Sequence, residues 1–206
     1  MMDNKTLNPF LAVWLHPKQA ARYLIDHKTL GFAMMIITIC TIISLPVNFL
    51  DTGEILTWPF LIGVVLLSPF LAILGLFITA FFPWAIGKLF KGTSTYTDMY
   101  KVMSLASIPA AAMGPIYLIW FVVSPDTLLN TELAFSGTGI AIFLVVMLLS
   151  FALGIWSFVV SVAVVAEAHQ FSNWKAFFTL IIPAVIILIF ILSLGALIAF
   201  LFFSNM

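Results

Sequence analysis

Five long stretches of this chain contain no aspartate, glutamate, lysine, arginine or histidine: about Leu30 to Leu50, Trp58 to Ile86, Val102 to Val123, Ile140 to Ala166 and Ala176 to Phe203. Each meets the roughly 20 apolar residues that a helix needs to cross the ~30 Å hydrocarbon core of a bilayer. Backbone amides in hydrocarbon have no water to bond, so such a run is helical there. A soluble fold would have to bury all five runs. Only 8% of the 206 residues are charged, against roughly 25% in a soluble domain, and mean hydropathy is +1.23. That leaves too little polar surface to cover a soluble core, so lipid is the outer solvent. The chain reads as all-α, a polytopic membrane helical bundle of five transmembrane helices.

The basic residues orient the bundle. Lys5, Lys18, Arg22 and Lys28 precede the first run, Lys88, Lys91 and Lys101 lie between the second and third, and Lys175 lies between the fourth and fifth. The connectors Asp51 to Thr57 and Ser124 to Gly139 and the tail Ser204 to Met206 hold no Lys or Arg. By the positive-inside rule the N-terminus is expected in the cytoplasm and the C-terminus outside. Four or six spans would break this separation. The second, fourth and fifth runs exceed the length needed and are expected to tilt, kink or emerge from the core, with Pro69 and Pro183 as the internal kinks.

Residues 1–29 form a cytoplasmic or interfacial segment, and residues 30–206 a single membrane domain. After Pro17, which suits a first helical turn, Ala20, Ala21, Leu24 and Ile25 share one helical face. Lys18, Arg22 and Lys28 lie elsewhere, and Phe10, Trp14 and Tyr23 are aromatics of the kind found at headgroup depth. This predicts a short amphipathic helix lying on the membrane surface. The first run starts later than a secretory signal would and does not end in a small-residue cleavage site, so the N-terminus is expected to be retained.

Chemistry is sparse. Zero formal net charge argues against nucleic acid, which demands a basic face. Cys40 is the single cysteine and reads as a packing residue. Ser and Thr inside the runs (Thr38, Thr41, Ser44, Thr79, Ser104, Ser107, Ser157 and Ser161) are expected to bond their own helix backbone or to glue neighbouring helices. Glu167 and His169 lie two apart but have no further ligands near in sequence, so they read as solvated interface residues and not a metal site. Asp51, Glu54, Asp126 and Glu132 are expected in solvated outer loops. No nucleophile–base pair, glycine-rich phosphate loop or HExxH motif is present, so no enzymatic activity, metal or cofactor is expected. Ala106, Ala110 and Gly114 recur at four-residue spacing, which lets another helix approach closely. With Pro109 and Pro115 they predict a central, bent helix. The contact is expected within the chain, with a homo-oligomer as the alternative.

Three segments together resemble a known family. NPFLAVWLHPKQAARYLIDHK precedes the first run. KGTSTYTDMYKV is followed by SLASIPAAAM, with Gly92, Tyr100, Ala106, Ser107 and Pro109. AEAHQFSNWKAFF carries Phe171, Trp174, Lys175 and Ala176. In order and spacing they resemble bacterial members of the Yip family, membrane proteins named for interaction with Ypt/Rab GTPases. The resemblance implies a five-helix membrane domain with a cytoplasmic N-terminus. Eukaryotic members bind Rab GTPases through a long cytoplasmic N-terminal region, where this chain has 29 residues before its first run. For bacterial members the resemblance implies assistance to export systems or protection against membrane-active peptides. It implies no catalytic residues.

The leading expectation is a non-enzymatic accessory or scaffolding protein of the bacterial cytoplasmic membrane, partnering another membrane protein such as an ABC exporter. Lys88, Lys91, Lys101, Trp174 and Lys175 are its expected contact face for that partner or for lipid. One alternative is a small transporter or channel for an uncharged solute. Another is self-protection against a membrane-active peptide docking on Asp126 and Glu132.

Overall fold

The computed structural model describes residues 7–53, 57–135, 137 and 139–204, and every regular element among them is helical. Lys5, Glu54 and residues 205–206 of the tail lie outside the described residues. In chain order come α1 (Pro9–Leu15), α2 (Pro17–His27), α3 (Leu30–Ile43), a 3₁₀ turn (Leu45–Phe49) and α4 (Trp58–Leu89). They are followed by α5 (Tyr96–Ala111), α6 (Met113–Val123), α7 (Pro125–Leu129), α8 (Thr131–Ala134), α9 (Gly139–His169) and α10 (Asn173–Ser204).

Among the described residues, four helices are long and apolar enough to cross a membrane: α4, the α5–α6 run Tyr96–Val123, α9 and α10. At 1.5 Å per residue the 32 residues of α4 reach about 48 Å, well past the hydrocarbon core. The first apolar run gives a shorter helix. α3 has 14 residues, or about 21 Å, and hands over to the 3₁₀ turn at Pro46, which lacks the N–H that an α-helix would use and disfavours helical geometry at Leu45.

α5 is the axis, and α9, α3, α4 and α2 all pack on it. Its Met99, Tyr100, Val102 and Leu105 are fully buried. Pro109 and Pro115 supply no N–H to the preceding turns, and the helix breaks between them at Ala112, which caps α5 and opens α6. Gly114 follows the break, and a Cβ there would overlap the carbonyl oxygen of Ile43 at the end of α3. Pro109 is buried, and Ala106 and Ala110 are half-buried.

The α2 helix carries the predicted apolar face, but that face is turned to protein. Ala20, Ala21 and Leu24, with Val13 of α1, have no exposed surface, and α2 packs against α5 and α9. The expectation of a helix dipping this face into the headgroup layer is corrected. Burying a side chain such as Leu24 is worth ~1.5–3 kcal/mol, and the bundle interior already supplies that burial.

The core is asymmetric. A large cluster joins α1, α2, α3 and α5 to the last turns of α4 and α9 and the first turn of α10. A smaller one gathers Tyr117, Trp120, Leu128, Ala134 and Val146 near the opposite end. Beyond its first turns α10 leaves the bundle, and Ala184 to Leu197 are all exposed. Five intramembrane hydroxyls back-bond their own helices as expected, Thr41 to Ile37, Ser44 to Cys40, Thr79 to Gly75, Ser104 to Lys101 and Ser161 to Ser157, whereas the Ser157 hydroxyl is buried without a partner among the described residues.

Candidate functional site: the cationic end of the bundle

Basic residues from four separate segments meet at one end of the bundle. The Arg22 guanidinium on α2 donates from Nε at 3.0 Å and Nη2 at 2.8 Å to Oε1 of Glu167 on α9. Lys101 Nζ on α5 donates to the carbonyl of Ile25 at 3.3 Å. Thr93, in the α4–α5 turn, donates its N–H at 3.2 Å to the carbonyl of His169. These links place Lys18, Arg22, Lys28, Lys88, Lys91, Lys101 and Lys175 together with the carboxylates Asp26, Asp98 and Glu167. The other end holds Asp51, Asp126 and Glu132 and, among the described residues, no Lys or Arg. Asp126 and Glu132 are exposed there.

His169 is the hinge-pin of this end. It is 1% exposed, which corrects its reading as a solvated interface residue. Its Nε2 lies 3.1 Å from the carbonyl oxygen of Pro83. A carbonyl only accepts, so Nε2 carries the proton. Nδ1 is buried without a partner among the described residues. The ring stacks on Phe171 at 5.0 Å and 11°. Gly87 and Gly92 face its two nitrogens, and a Cβ on Gly87 would overlap Nε2 as one on Gly92 would overlap Nδ1. Glu167 is likewise paired, not merely solvated.

The same ring is framed by two matching helix ends. At the end of α4 the Gly92 N–H donates to Gly87 O at 2.8 Å and the Lys91 N–H to Lys88 O at 3.0 Å. At the end of α9 the Phe171 N–H donates to Ala166 O at 3.1 Å and the Gln170 N–H to Glu167 O at 3.3 Å. Both are Schellman closures, which need a left-handed residue. Lys91 (φ 63°) and Gln170 (φ 56°) take that place, where glycine is the usual occupant.

Of the residues expected to form a contact face, Lys88, Lys91, Trp174 and Lys175 are exposed, with Trp174 at 73%. Lys101 is turned inward, bonded to Ile25 and 3.9 Å from Asp98. Sequence reasoning missed Arg22, Gly87 and Thr93 as parts of this assembly. The signal for one of them was visible: two glycines bracketing a basic turn, Gly87 and Gly92, mark a backbone that something approaches closely. No group of three or more metal-ligating side chains occurs among the described residues.

The helices and the one-sided distribution of basic residues define an all-helical multi-pass membrane protein. Its family is specific: the model of the Yip1 domain matches residues 11–195, and the chain belongs to that family. No curated protein and no solved structure matches the chain.

Proposed function

We propose that this chain is a non-enzymatic protein of a bacterial cytoplasmic membrane that serves as an accessory partner of another membrane protein, an ABC exporter being the kind of assembly in view. The observation that carries the reading is the state of α10. From Ala184 to Leu197 no residue is covered by the rest of the chain, so about 20 Å of apolar helix is free to take a partner's helix inside the bilayer. In this reading the protein has five spans, with α3 and its 3₁₀ turn as the first. Its cationic end lies in the cytoplasm, as the positive-inside rule requires. Lys88, Lys91, Trp174 and Lys175 meet the partner or the headgroups at that surface, and Ala106, Pro109, Ala110 and Gly114 serve packing within the chain.

Affinity purification from the native membrane in mild detergent tests it. A stoichiometric exporter subunit is expected. Its recovery should fall with Gly195→Leu, because a Cβ at Gly195 meets nothing within 4 Å in this chain and bulk there obstructs only an outside helix. Recovery of the chain alone would overturn the accessory reading.

A second reading, a small transporter for an uncharged solute, is supported by an open apolar groove of about 450 Å³ between α6 and α9, lined by residues including Ile116, Trp120, Ile142 and Val146. Uptake of a neutral solute into proteoliposomes, abolished by Val146→Trp, is its expected signature.

A further inference from the structure

Four side chains at the cationic end lie on its surface. Lys88, Lys91, Lys175 and Trp174 are exposed, and among the described residues none of the three ammonium groups has a carboxylate partner. The described carboxylates of that end are engaged elsewhere. Glu167 and Asp26 face Arg22, and Asp98 faces Lys101 and the hydroxyl of Thr95. Lys18, exposed on α2, and Lys28, set over the Tyr23 and Phe32 rings, also have no carboxylate partner among the described residues, and the rest of the unpaired charge sits on these three lysines. They are not scattered, because each stems from a segment pinned to the His169 ring: the Gly87–Gly92 closure for Lys88 and Lys91, and the stacked Phe171 for Trp174 and Lys175.

Two further observations indicate what these lysines meet. Lys91 occupies a left-handed position that glycine would close with less strain, and it sets an exposed ammonium at that closure. Immediately beside the lysines stand apolar side chains with nothing over them, Leu89 at 78% and Trp174 at 73% exposure, and farther along the same two helices Phe81 and Phe178. Ammonium groups next to an exposed indole and leucine, at the last turn of one membrane helix and the first turn of another, match the depth of lipid headgroups.

We propose that this rim binds an anionic glycerophospholipid. Its phosphate is held by Lys88, Lys91 and Lys175, its glycerol region lies at Trp174, and its acyl chains lie along the exposed faces of α4 and α10. A soluble acidic protein would use the lysines but leave Leu89 and Trp174 in water. The site depends on this end lying in a leaflet and not on any protein partner. Lys175 and Gly195 are about 30 Å apart along α10, so loss of one function leaves the other testable.

The test is native mass spectrometry of the full chain in detergent, titrated with phosphatidylglycerol and with phosphatidylcholine. Phosphatidylglycerol should be retained in preference. The variant Lys88→Gln/Lys91→Gln/Lys175→Gln should lose affinity for it by on the order of 100-fold, roughly 5-fold per lysine. Asp126→Asn, at an exposed position on the opposite end of the bundle, should change nothing. An unchanged unfolding temperature of the triple variant separates lost binding from misfolding; if the triple variant melts early, Lys175→Gln alone and its roughly 5-fold loss decide the matter. Equal retention of the two lipids overturns the proposal, as does undiminished retention by the glutamine variants. Displacement by inorganic phosphate, at an ionic strength where sodium chloride displaces nothing, also overturns it and identifies a free-anion site.

Discussion

Lys91 stands where glycine relieves strain, and the two consequences can be separated by one substitution. Lys91→Gly should raise stability by about 1 kcal/mol, since a left-handed non-glycine residue costs ~1–2 kcal/mol and glycine's greater freedom when unfolded returns part of that. The rise is read as a higher unfolding temperature in detergent, while phosphatidylglycerol retention falls. A side chain kept only for folding would move both the same way. At Gly87 the expectation is the reverse. Gly87→Ala drives a methyl into the His169 ring and should cost ~1–3 kcal/mol, and His169→Ala in the same chain should restore part of the loss because the ring is the obstacle. A double-mutant cycle measures that coupling. Little of this was legible beforehand. The sequence places Gly87 and His169 far apart, and an imidazole after an apolar run looks the same whether it faces water or a buried carbonyl.

Between elements, the least expected contact is α2 on α5 and α9. The hydrophobic face of α2 was legible from the spacing of Ala20, Ala21 and Leu24. Its destination was not, because an apolar stripe suits lipid and protein equally well. Arg22 decides between them by pairing with Glu167. The Arg22 side chain is 35% exposed and that of Glu167 23%. The pair is therefore worth about 1 kcal/mol, between the 0.2–1 of an exposed ion pair and the 1.5–3 of a well-shielded charged hydrogen bond. Arg22→Ala should lower the unfolding temperature accordingly, and the exchange Arg22→Glu/Glu167→Arg should recover only part of it, because it sets a carboxylate beside Asp26, which Arg22 faces at 4.0 Å. Thermal unfolding in detergent followed by fluorescence checks both. The break at Ala112 was legible from Pro109 and Pro115. The early end of α3 was hidden because hydropathy does not register the missing N–H of Pro46.

The molecule as a whole has one cationic and one acidic end, and this polarity was the most legible feature of all, since it follows from counting Lys and Arg between apolar runs. Placing the ends relative to the bilayer is a matter for labelling. In a Cys40→Ala background, Lys91→Cys and Lys175→Cys should react with a membrane-impermeant maleimide only after the cytoplasmic side is opened. Asp126→Cys and Glu132→Cys should react on intact cells. Labelling of all four from one side would remove the five-span topology. What counting could not give is the uneven core, dense beside the lysines and thin along α10, because side-chain hydropathy is the same whether a helix faces lipid or another helix.

Arg22 and Glu167 are 145 residues apart in sequence. A ribosome adding about 5–20 residues per second needs roughly 7–30 s to make the second after the first. During that interval Arg22 has no Glu167, and Ala20, Ala21 and Leu24 have no α9 to cover them. The nascent helix then has an apolar face, a basic face and a nearby headgroup layer, the conditions under which such a helix lies flat. During that interval α2 is expected to lie on the headgroup layer, and to leave it for the bundle once α9 has arrived.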